Sequence, residues 1–424
     1  MNTVVVEAPE RPVRPLLVRS RPLHLGLALL LGLGLGPAAC GGGGGGGGGG
    51  DDDDSSVDGA ADDDGADGAD GADDGADGAD GADGADDGPE VDAGPGFEQV
   101  PLIEGLTTLA GAGITGTHDG DRDTALFNNP VNVVMTAGGD LIVADFDNNL
   151  VRLVTPAGDV TTLNQPTEDT VFLRPFGMVI AGDTLYMQTD GNSLGLPGPP
   201  GGALWRMPLG GGVPELVRDN IGRCRGLGLL SDGRLVLSDR QGHVVSLFDP
   251  TSGAMSLLAG TQDTPGFADA QGAAAQFNEP YDVMVLADDT VLVADYGNHR
   301  LRHIDLDGNV TTYAGTGAAG SDDGPLADAT FHLPKGLAMD AAGTLFVTDT
   351  GSHLVRRIST DGQVTTIAGD GAGGWKDDPD PLLGELWGIE GLDVGTDGYL
   401  YIADGTVGEA LPYHRVRRLT LPAE

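Results

Sequence analysis

The feature that most constrains the fold of this chain is a phrase that returns six times along it. Each copy is an apolar run that closes on an Asp, then a short polar turn, then a second apolar run that carries Arg in most copies. The clearer copies read LIVADFDNNLVRL (141–153), LVLSDRQGHVVSLF (235–248), VLVADYGNHRLRHI (291–304) and LFVTDTGSHLVRRI (345–358), and looser ones lie at 185–207 and 400–419. A short unit that recurs in this way cannot bury its own apolar faces and must stack on its neighbours. The pattern therefore predicts a repeat protein of six units.

Each clear unit contains four short apolar segments, which predict four strands. In one unit they are 280–286, 291–295, 300–304 and 310–315. They are rich in Val, Ile, Thr and Tyr and are bounded by Gly, Asp or Asn, as strands are. Several are apolar at consecutive positions, which indicates a sheet covered on both faces. The fold class predicted is all-β, a six-bladed β-propeller of four-stranded antiparallel blades.

The two ends of the repeat region predict how the ring closes. The last segment of each clear unit has the form VTTYAG, yet LTTLAG at 106–111 precedes the first unit, and the sixth unit ends without such a segment. A strand left without a neighbour exposes unpaired backbone groups. Residues 106–110 are therefore predicted to form the outer strand of the sixth blade.

Three regions are expected along the chain, of which the propeller is 97–424. Residues 1–40 combine several Arg, an apolar stretch at 23–36 and the ending Pro37-Ala38-Ala39-Cys40, and they are predicted to be a signal peptide. This segment resembles a bacterial lipoprotein signal, although Pro37 stands where Leu is usual. The resemblance implies lipidation of Cys40 and an exported, membrane-anchored protein that faces the periplasm or the cell surface, with plain secretion as the alternative.

Residues 41–96 are predicted to be a disordered tether. Ten Gly are followed by an Asp-rich run that lacks Lys and Arg up to residue 93. Such a segment has little apolar surface to bury and repels itself. Its triplets fit no calcium-loop spacing.

Charge and cysteine content narrow the function classes. The formal net charge of −43 argues against nucleic acid as a partner, because nucleic-acid binders need a dense cationic surface. Cys224 is the only Cys of the predicted propeller and is expected to be a packed small residue. The chain is expected to be a monomer.

Two units resemble the NHL repeat. They are PYDVMVLADDTVLVADYGNHRLRHIDLDGNVTTYAG (280–315) and PKGLAMDAAGTLFVTDTGSHLVRRISTDGQVTTIAG (334–369), and the resemblance extends over about 106–419. It implies a propeller that binds a protein or another ligand, as most NHL propellers do. Some NHL propellers bind RNA, and a related minority are lyases or lactone hydrolases that use a metal in the central channel. The fold alone does not choose among these activities.

The polar residues that recur in every unit are expected to be structural. Asp145, Asp295 and Asp349 are each followed seven positions later by an Arg. An Asp at a strand end accepts turn N–H groups and can also pair with that Arg. His299 and His353 fill a turn position of the repeat and receive the same interpretation.

The candidate site lies at the starts of the innermost strands, which ring one mouth of the channel. The residues there that depart most from the repeat are Arg225, Tyr281, Lys335 and Glu390. We expect these four to contact the ligand, an unidentified protein, peptide or glycan. This interpretation assigns no catalytic residue, no cofactor and no metal.

The alternative hypothesis is a metal-dependent lyase or lactone-type hydrolase with its site in the same channel. Oxygen ligands for Ca or Zn would be Asn132, Asp282 and Glu390. No His occupies the aligned inner positions, which disfavours zinc.

Overall fold

A computed structural model describes residues 102–165, 167, 170–195, 201–405 and 413–422 of the protein. The regions predicted as signal peptide and tether, including Cys40, lie outside the described residues. The predicted fold class is confirmed, because the described strands form six separate antiparallel sheets, one per repeat unit.

From the innermost to the outermost, the four main strands follow chain order in every blade except the sixth. The first three blades consist of the strands Pro130–Met135, Leu141–Asp145, Leu150–Val154 and Val160–Thr162; then Pro175–Ala181, Thr184–Thr189, Ala203–Pro208 and Glu215–Asp219; then Cys224–Leu229, Leu235–Asp239, Val244–Asp249 and Ala254–Gly260.

The second half of the ring repeats this order. Its blades consist of Pro280–Val285, Val291–Asp295, Arg300–Ile304 and Val310–Ala314; then Pro334–Met339, Leu345–Asp349, Leu354–Ile358 and Gln363–Ala368; then Ile389–Val394, Tyr399–Asp404, Arg415–Thr420 and Leu106–Ala110. The fifth blade has one addition to the predicted four strands, the two-residue strand Gly324–Pro325. The helical segments are single turns at Gly272–Ala274, Tyr296–Asn298, Thr350–Ser352 and Pro381–Leu383.

The ring closes where the sequence predicts. Leu106–Ala110 pairs antiparallel with Arg415–Thr420, with Leu106 opposite Leu419 and Thr107 opposite Arg418. The side chains of Leu106 and Leu109 are fully buried. A strand from one end of the propeller therefore completes the sheet at the other end.

The core lies between blades, and the second strand of each blade carries most of it. All five residues of Leu141–Asp145, Val291–Asp295 and Leu345–Asp349 are buried. Because a neighbouring blade covers each face of these sheets, apolar residues occupy consecutive positions, as predicted.

The recurring Asp and Arg residues have the structural role expected of them. Carboxylate and guanidinium are 2.9 Å apart in Asp145–Arg152, 2.7 Å in Asp295–Arg302 and 3.0 Å in Asp349–Arg356. The sixth blade adds Asp404–Arg417 at 2.8 Å. Each of these Arg side chains is fully buried and also binds a second Asp from the preceding loop, namely Asp119, Asp269, Asp323 or Asp377. We call each such arrangement a clamp.

The turn histidines also have structural roles. His299 and His353 adopt left-handed backbone conformations, with φ of 53° and 55°. His299 Nδ1 accepts a hydrogen bond from the backbone N–H of Leu333 in the next blade, at 3.1 Å. Within the described part of the chain, no helix has the length and apolar character needed to cross a membrane.

Candidate functional site

The innermost strands of the six blades meet around the axis of the ring. Each packs against the innermost strands of both neighbouring blades. Where they begin they leave a small cavity of about 10 Å³, enough for roughly one water molecule, which we call the channel cavity. All six blades contribute to its wall, through Asn132, Phe176, Arg225, Tyr281, Asp282, Gly336, Glu390 and Gly391. The cavity is smaller than the ~300 Å³ at which pockets for drug-sized ligands begin.

Three of the four predicted ligand-contacting residues form one hydrogen-bonded cluster. Lys335 Nζ lies 2.7 Å from Glu390 Oε1, and the Tyr281 hydroxyl donates to Glu390 Oε2 at 2.8 Å. The Lys335 ammonium also lies 5.0 Å from the centre of the Tyr281 ring. The side chains of Lys335 and Glu390 keep 16% and 15% of their exposure, whereas Tyr281 is buried. Of the three residues in this cluster, Lys335 and Glu390 can therefore be reached from solvent without rearrangement, whereas Tyr281 cannot.

The fourth residue, Arg225, is committed to an internal partner. Its guanidinium forms a two-pronged ion pair with Asp190 and lies 4.3 Å from the centre of the Phe176 ring. Burial alone would raise the pKa of Asp190, but Arg225 and Arg223 hold it below its ordinary value. Arg225 is itself buried, so its geometry is that of a residue that holds the wall of the mouth in place.

Sequence reasoning missed Asp190 and a second ion pair at the mouth. Arg240 binds Glu279 at 2.8 Å, and its guanidinium lies over the rings of Tyr281 and Tyr296, at 5.7 Å and 5.4 Å. Asp190 could have been recognised from its sequence position, because it directly follows the second strand of its blade, next to the position that the recurring Asp occupies in the other units. The insertion that follows obscured the alignment there. Arg240 follows the recurring Asp239 directly, which was a usable signal.

The residues of the metal hypothesis do converge, although the carboxylate oxygens of Asp282 and Glu390 are already engaged. Asn132, Asp282 and Glu390 all line the channel cavity. The Asp282 carboxylate accepts backbone N–H groups of Val283 at 2.8 Å and Leu337 at 3.0 Å. Burial raises the pKa of Asp282 to about 7. Among the described residues, no group of three or more His, Cys, Asp and Glu is placed to hold a metal.

Cys224 has the environment of a packed residue. It is buried, its thiol donates to the Ile221 carbonyl at 3.3 Å, and burial raises its pKa well above the ordinary value. A thiol held in its neutral form is a poor nucleophile.

Comparison with known proteins agrees with this architecture. The sequence model of the NHL repeat matches residues 277–304. The chain is 26% identical over 299 residues to the protein SUPPRESSOR OF QUENCHING 1, chloroplastic, of Arabidopsis thaliana, a match that covers 60% of this chain and 27% of that protein. It is 30% identical over 125 residues to NHL repeat-containing protein 2 of Homo sapiens, covering 27% of this chain and 17% of the relative. The chain thus spans less than a third of the length of either relative.

A solved structure from Bacteroides thetaiotaomicron, described as an auxiliary nutrient binding protein, has a similar fold. It superposes with a TM-score of 0.58 at 16% identity over 74% of this chain and 75% of the other. The ring of six sheets, closed by the pairing of Leu106–Ala110 with Arg415–Thr420, defines the class of protein, a six-bladed β-propeller. The match to the NHL-repeat model at 277–304 spans the first three strands of the fourth of these blades.

Proposed function

We propose that this chain is a noncatalytic binding propeller that recognises a protein, peptide or glycan at the channel mouth. The observation that carries the proposal is the Lys335–Glu390 pair. It lies where all six blades meet, is partly exposed, and is held in one geometry by the Tyr281 hydroxyl. The fold shared with an auxiliary nutrient binding protein is compatible with this role.

The mouth suits a polar ligand because its charges are fixed before binding. Lys335 and Arg240 both lie against the rings of Tyr281 and Tyr296, and each cation is paired with a carboxylate. A ligand that contacts preorganised groups loses less free energy to side-chain ordering. The cavity behind them is too small for a bulky group, so we place the contact at the rim.

The test is a capture experiment with the full chain on peptide and glycan arrays, followed by affinity measurements with variants. Lys335→Met removes the exposed cation and leaves Glu390 bonded to Tyr281. Loss of a charge-assisted contact worth about 1.5–3 kcal/mol should weaken binding by roughly tenfold or more. Lys376→Met is the matched control, because Lys376 also pairs with a carboxylate, that of Asp378, and Asp378 accepts a backbone hydrogen bond from Leu106 in the outermost strand of the sixth blade. Equal ligand affinities of the two variants would refute the proposal that the ligand binds at the channel mouth.

A second candidate function rests on the convergence of Asn132, Asp282 and Glu390 on one cavity. Such a set of oxygen ligands would serve a metal-dependent lyase or hydrolase. Elemental analysis of the gently purified full chain tests it. Stoichiometric Ca or Zn that is lost in Glu390→Gln would favour this candidate, and metal-free protein would exclude it.

We further propose that the propeller is exported as a monomer and anchored through lipidated Cys40 on the acidic tether. The composition of residues 23–40 and 41–96 supports this. Incorporation of labelled fatty acid that disappears in Cys40→Ser would be expected. Equal labelling of the two chains would contradict it.

A further inference from the structure

The third blade breaks the pattern of clamps in one specific way. In the first, fourth, fifth and sixth blades, the third strand supplies an Arg to the Asp that ends the second strand. In the second blade, Trp205 takes the register position of that Arg and donates to Thr189 at 2.9 Å. The third blade keeps the Asp, as Asp239, but has Ser246 where the Arg should be.

The register shows that Ser246 is the true equivalent of the clamp arginines. Arg152, Arg302 and Arg356 pair across the sheet with the residue two positions before the clamp Asp, and Ser246 pairs with Leu237 in the same way. Replacing a long cation with a short hydroxyl leaves space and an uncompensated carboxylate.

A cavity lies at this place. It is an open depression of about 410 Å³, and we call it the blade-3 pocket. Its lining includes Asp239, Ser246, Val244, Ile221, Gln262 and Asp263. In the four blades that have a clamp, a long loop supplies the second Asp; here the short connection 220–223 takes its place, so the depression remains open.

The Asp239 carboxylate retains the bonding of a clamp without the cation. In the fourth blade, Asp295 Oδ1 accepts a backbone N–H and Oδ2 accepts Arg302. In the third blade, Asp239 Oδ1 accepts the backbone N–H groups of Arg223 and Gly242, at 3.1 Å and 3.0 Å. Within the described part of the chain, no side chain donates a hydrogen bond to Asp239 Oδ2.

Local charge also favours an incoming cation. Asp263 is exposed at the edge of the pocket, and its backbone N–H is bonded to the Gly242 carbonyl, which holds it beside Asp239. Burial and the negative charge of Asp263 raise the pKa of Asp239 above its ordinary value. A bound cation would lower that pKa again, because it stabilises the ionised carboxylate. The nearest arginines have other partners, because the Arg223 side chain binds Asp190 and Arg240 binds Glu279.

We propose that the blade-3 pocket binds the guanidinium group of a ligand, which takes the place that the clamp arginine fills inside the other blades. A planar guanidinium offers several N–H donors in a fixed fork and is less strongly hydrated than an ammonium. Among the residues that the structure describes, four guanidinium groups are each held by two carboxylates and two backbone carbonyls, as Arg302 is by Asp295, Asp269, Gln276 and Ala268. The acceptors offered here are Asp239 Oδ2 and the exposed carboxylate of Asp263, whose Oδ1 also accepts the Gln262 amide N–H at 2.9 Å. This site is separate from the channel mouth and does not depend on the proposed function.

The test is a calorimetric titration of the full chain with Nα-acetyl-arginine methylamide. The neutral citrulline analogue and the lysine analogue serve as ligand controls. We expect saturable binding of the arginine compound, weaker binding of the lysine compound and none of the citrulline compound. Asp239→Asn should weaken binding at least tenfold, since it removes the charge that faces the guanidinium. The absence of saturable binding to the natural chain would overturn the proposal.

A second variant fills the pocket from within. Ser246→Arg restores the clamp arginine and should abolish binding, whereas Ser256→Arg adds the same charge at an exposed position of the same blade and should leave affinity unchanged. Binding that persists in both Asp239→Asn and Ser246→Arg would refute the site. If Ser246→Arg loses its cooperative melting transition, the variant is not folded, and the affinity of Asp239→Asn alone tests the site.

The same arginine within a neutral pentapeptide separates two sources of the guanidinium. Tighter binding of the pentapeptide would assign the pocket to an arginine of an extended chain. Equal binding would assign it to small guanidinium compounds.

Discussion

The clamp of the fifth blade gives the sharpest prediction for stability. Arg356 is fully buried and donates to Asp349 at 3.0 Å, to Asp323 at 2.8 Å and to the carbonyls of Thr330 and Asp322. Arg356→Met keeps much of the side-chain volume but leaves Asp349 buried without its cation. Removing one partner of a buried ion pair costs about 3–5 kcal/mol. We expect the free energy of unfolding to fall by that amount.

The adjacent residue provides the control. Arg357 lies next to Arg356 on the same strand, faces the other way and is partly exposed. Arg357→Met should change the free energy of unfolding by no more than about 0.5 kcal/mol. The measurement is equilibrium unfolding of the full chain in urea, followed by tryptophan fluorescence. Similar losses for the two variants would refute the reasoning.

The pH dependence tests the same clamp independently. Burial outweighs the neighbouring guanidinium and raises the pKa of Asp349 to about 6 in the folded chain. A raised carboxyl pKa gives stability that is present at low pH and is lost as pH rises through the folded value. Without Arg356 the ionised form is still less favourable. The penalty of Arg356→Met should therefore be larger at pH 8 than at pH 5, and a penalty that shrinks as pH rises would contradict the account.

Two further predictions concern buried groups near the channel. Because burial raises the pKa of Asp282 to about 7, the contribution of this residue to stability falls as pH rises from about 4 to 7. In thermal melts, Asp282→Asn should therefore gain stability relative to the natural chain over that pH range. Parallel pH profiles of the two proteins would contradict this. Cys224, buried and with a raised pKa, should resist a thiol reagent in the folded Cys40→Ser chain and react in denaturant, and fast labelling of the folded chain would show that the thiol is accessible.

The sequence was sufficient for the fold because propeller repeats are nearly local in sequence. The recurring Asp, the VTT-type segment and the displaced copy at 106–110 together specify the number of blades and the way the ring closes. For the clamps of the first, fourth and fifth blades, the sequence predicted the Asp–Arg pair between neighbouring strands but not the second Asp from the loop. The strand-to-strand partners lie seven residues apart in the first, fourth and fifth blades and thirteen apart in the sixth. The loop partners Asp269 and Asp323 lie 33 residues before their arginines and belong to segments without regular structure.

The candidate site shows more clearly what the sequence alone could not predict. Alignment of the strand starts brought Arg225, Tyr281, Lys335 and Glu390 to one mouth, but it could not show that Arg225 is neutralised by Asp190 from the neighbouring blade. Contacts between blades depend on side-chain reach across the ring, which repeat spacing does not encode. The vacancy at Ser246 could have been read from the sequence, since it is the one unit with the recurring Asp but no Arg.

The channel mouth exists only if the ring is closed, and hydrogen exchange of the full chain measures this directly. The backbone amides of Leu106–Ala110 that bond to Arg415–Thr420 should exchange as slowly as those of the buried strand Val291–Asp295. Exchange of 106–110 at the rate of an unstructured peptide would contradict the closed ring and the mouth built on it.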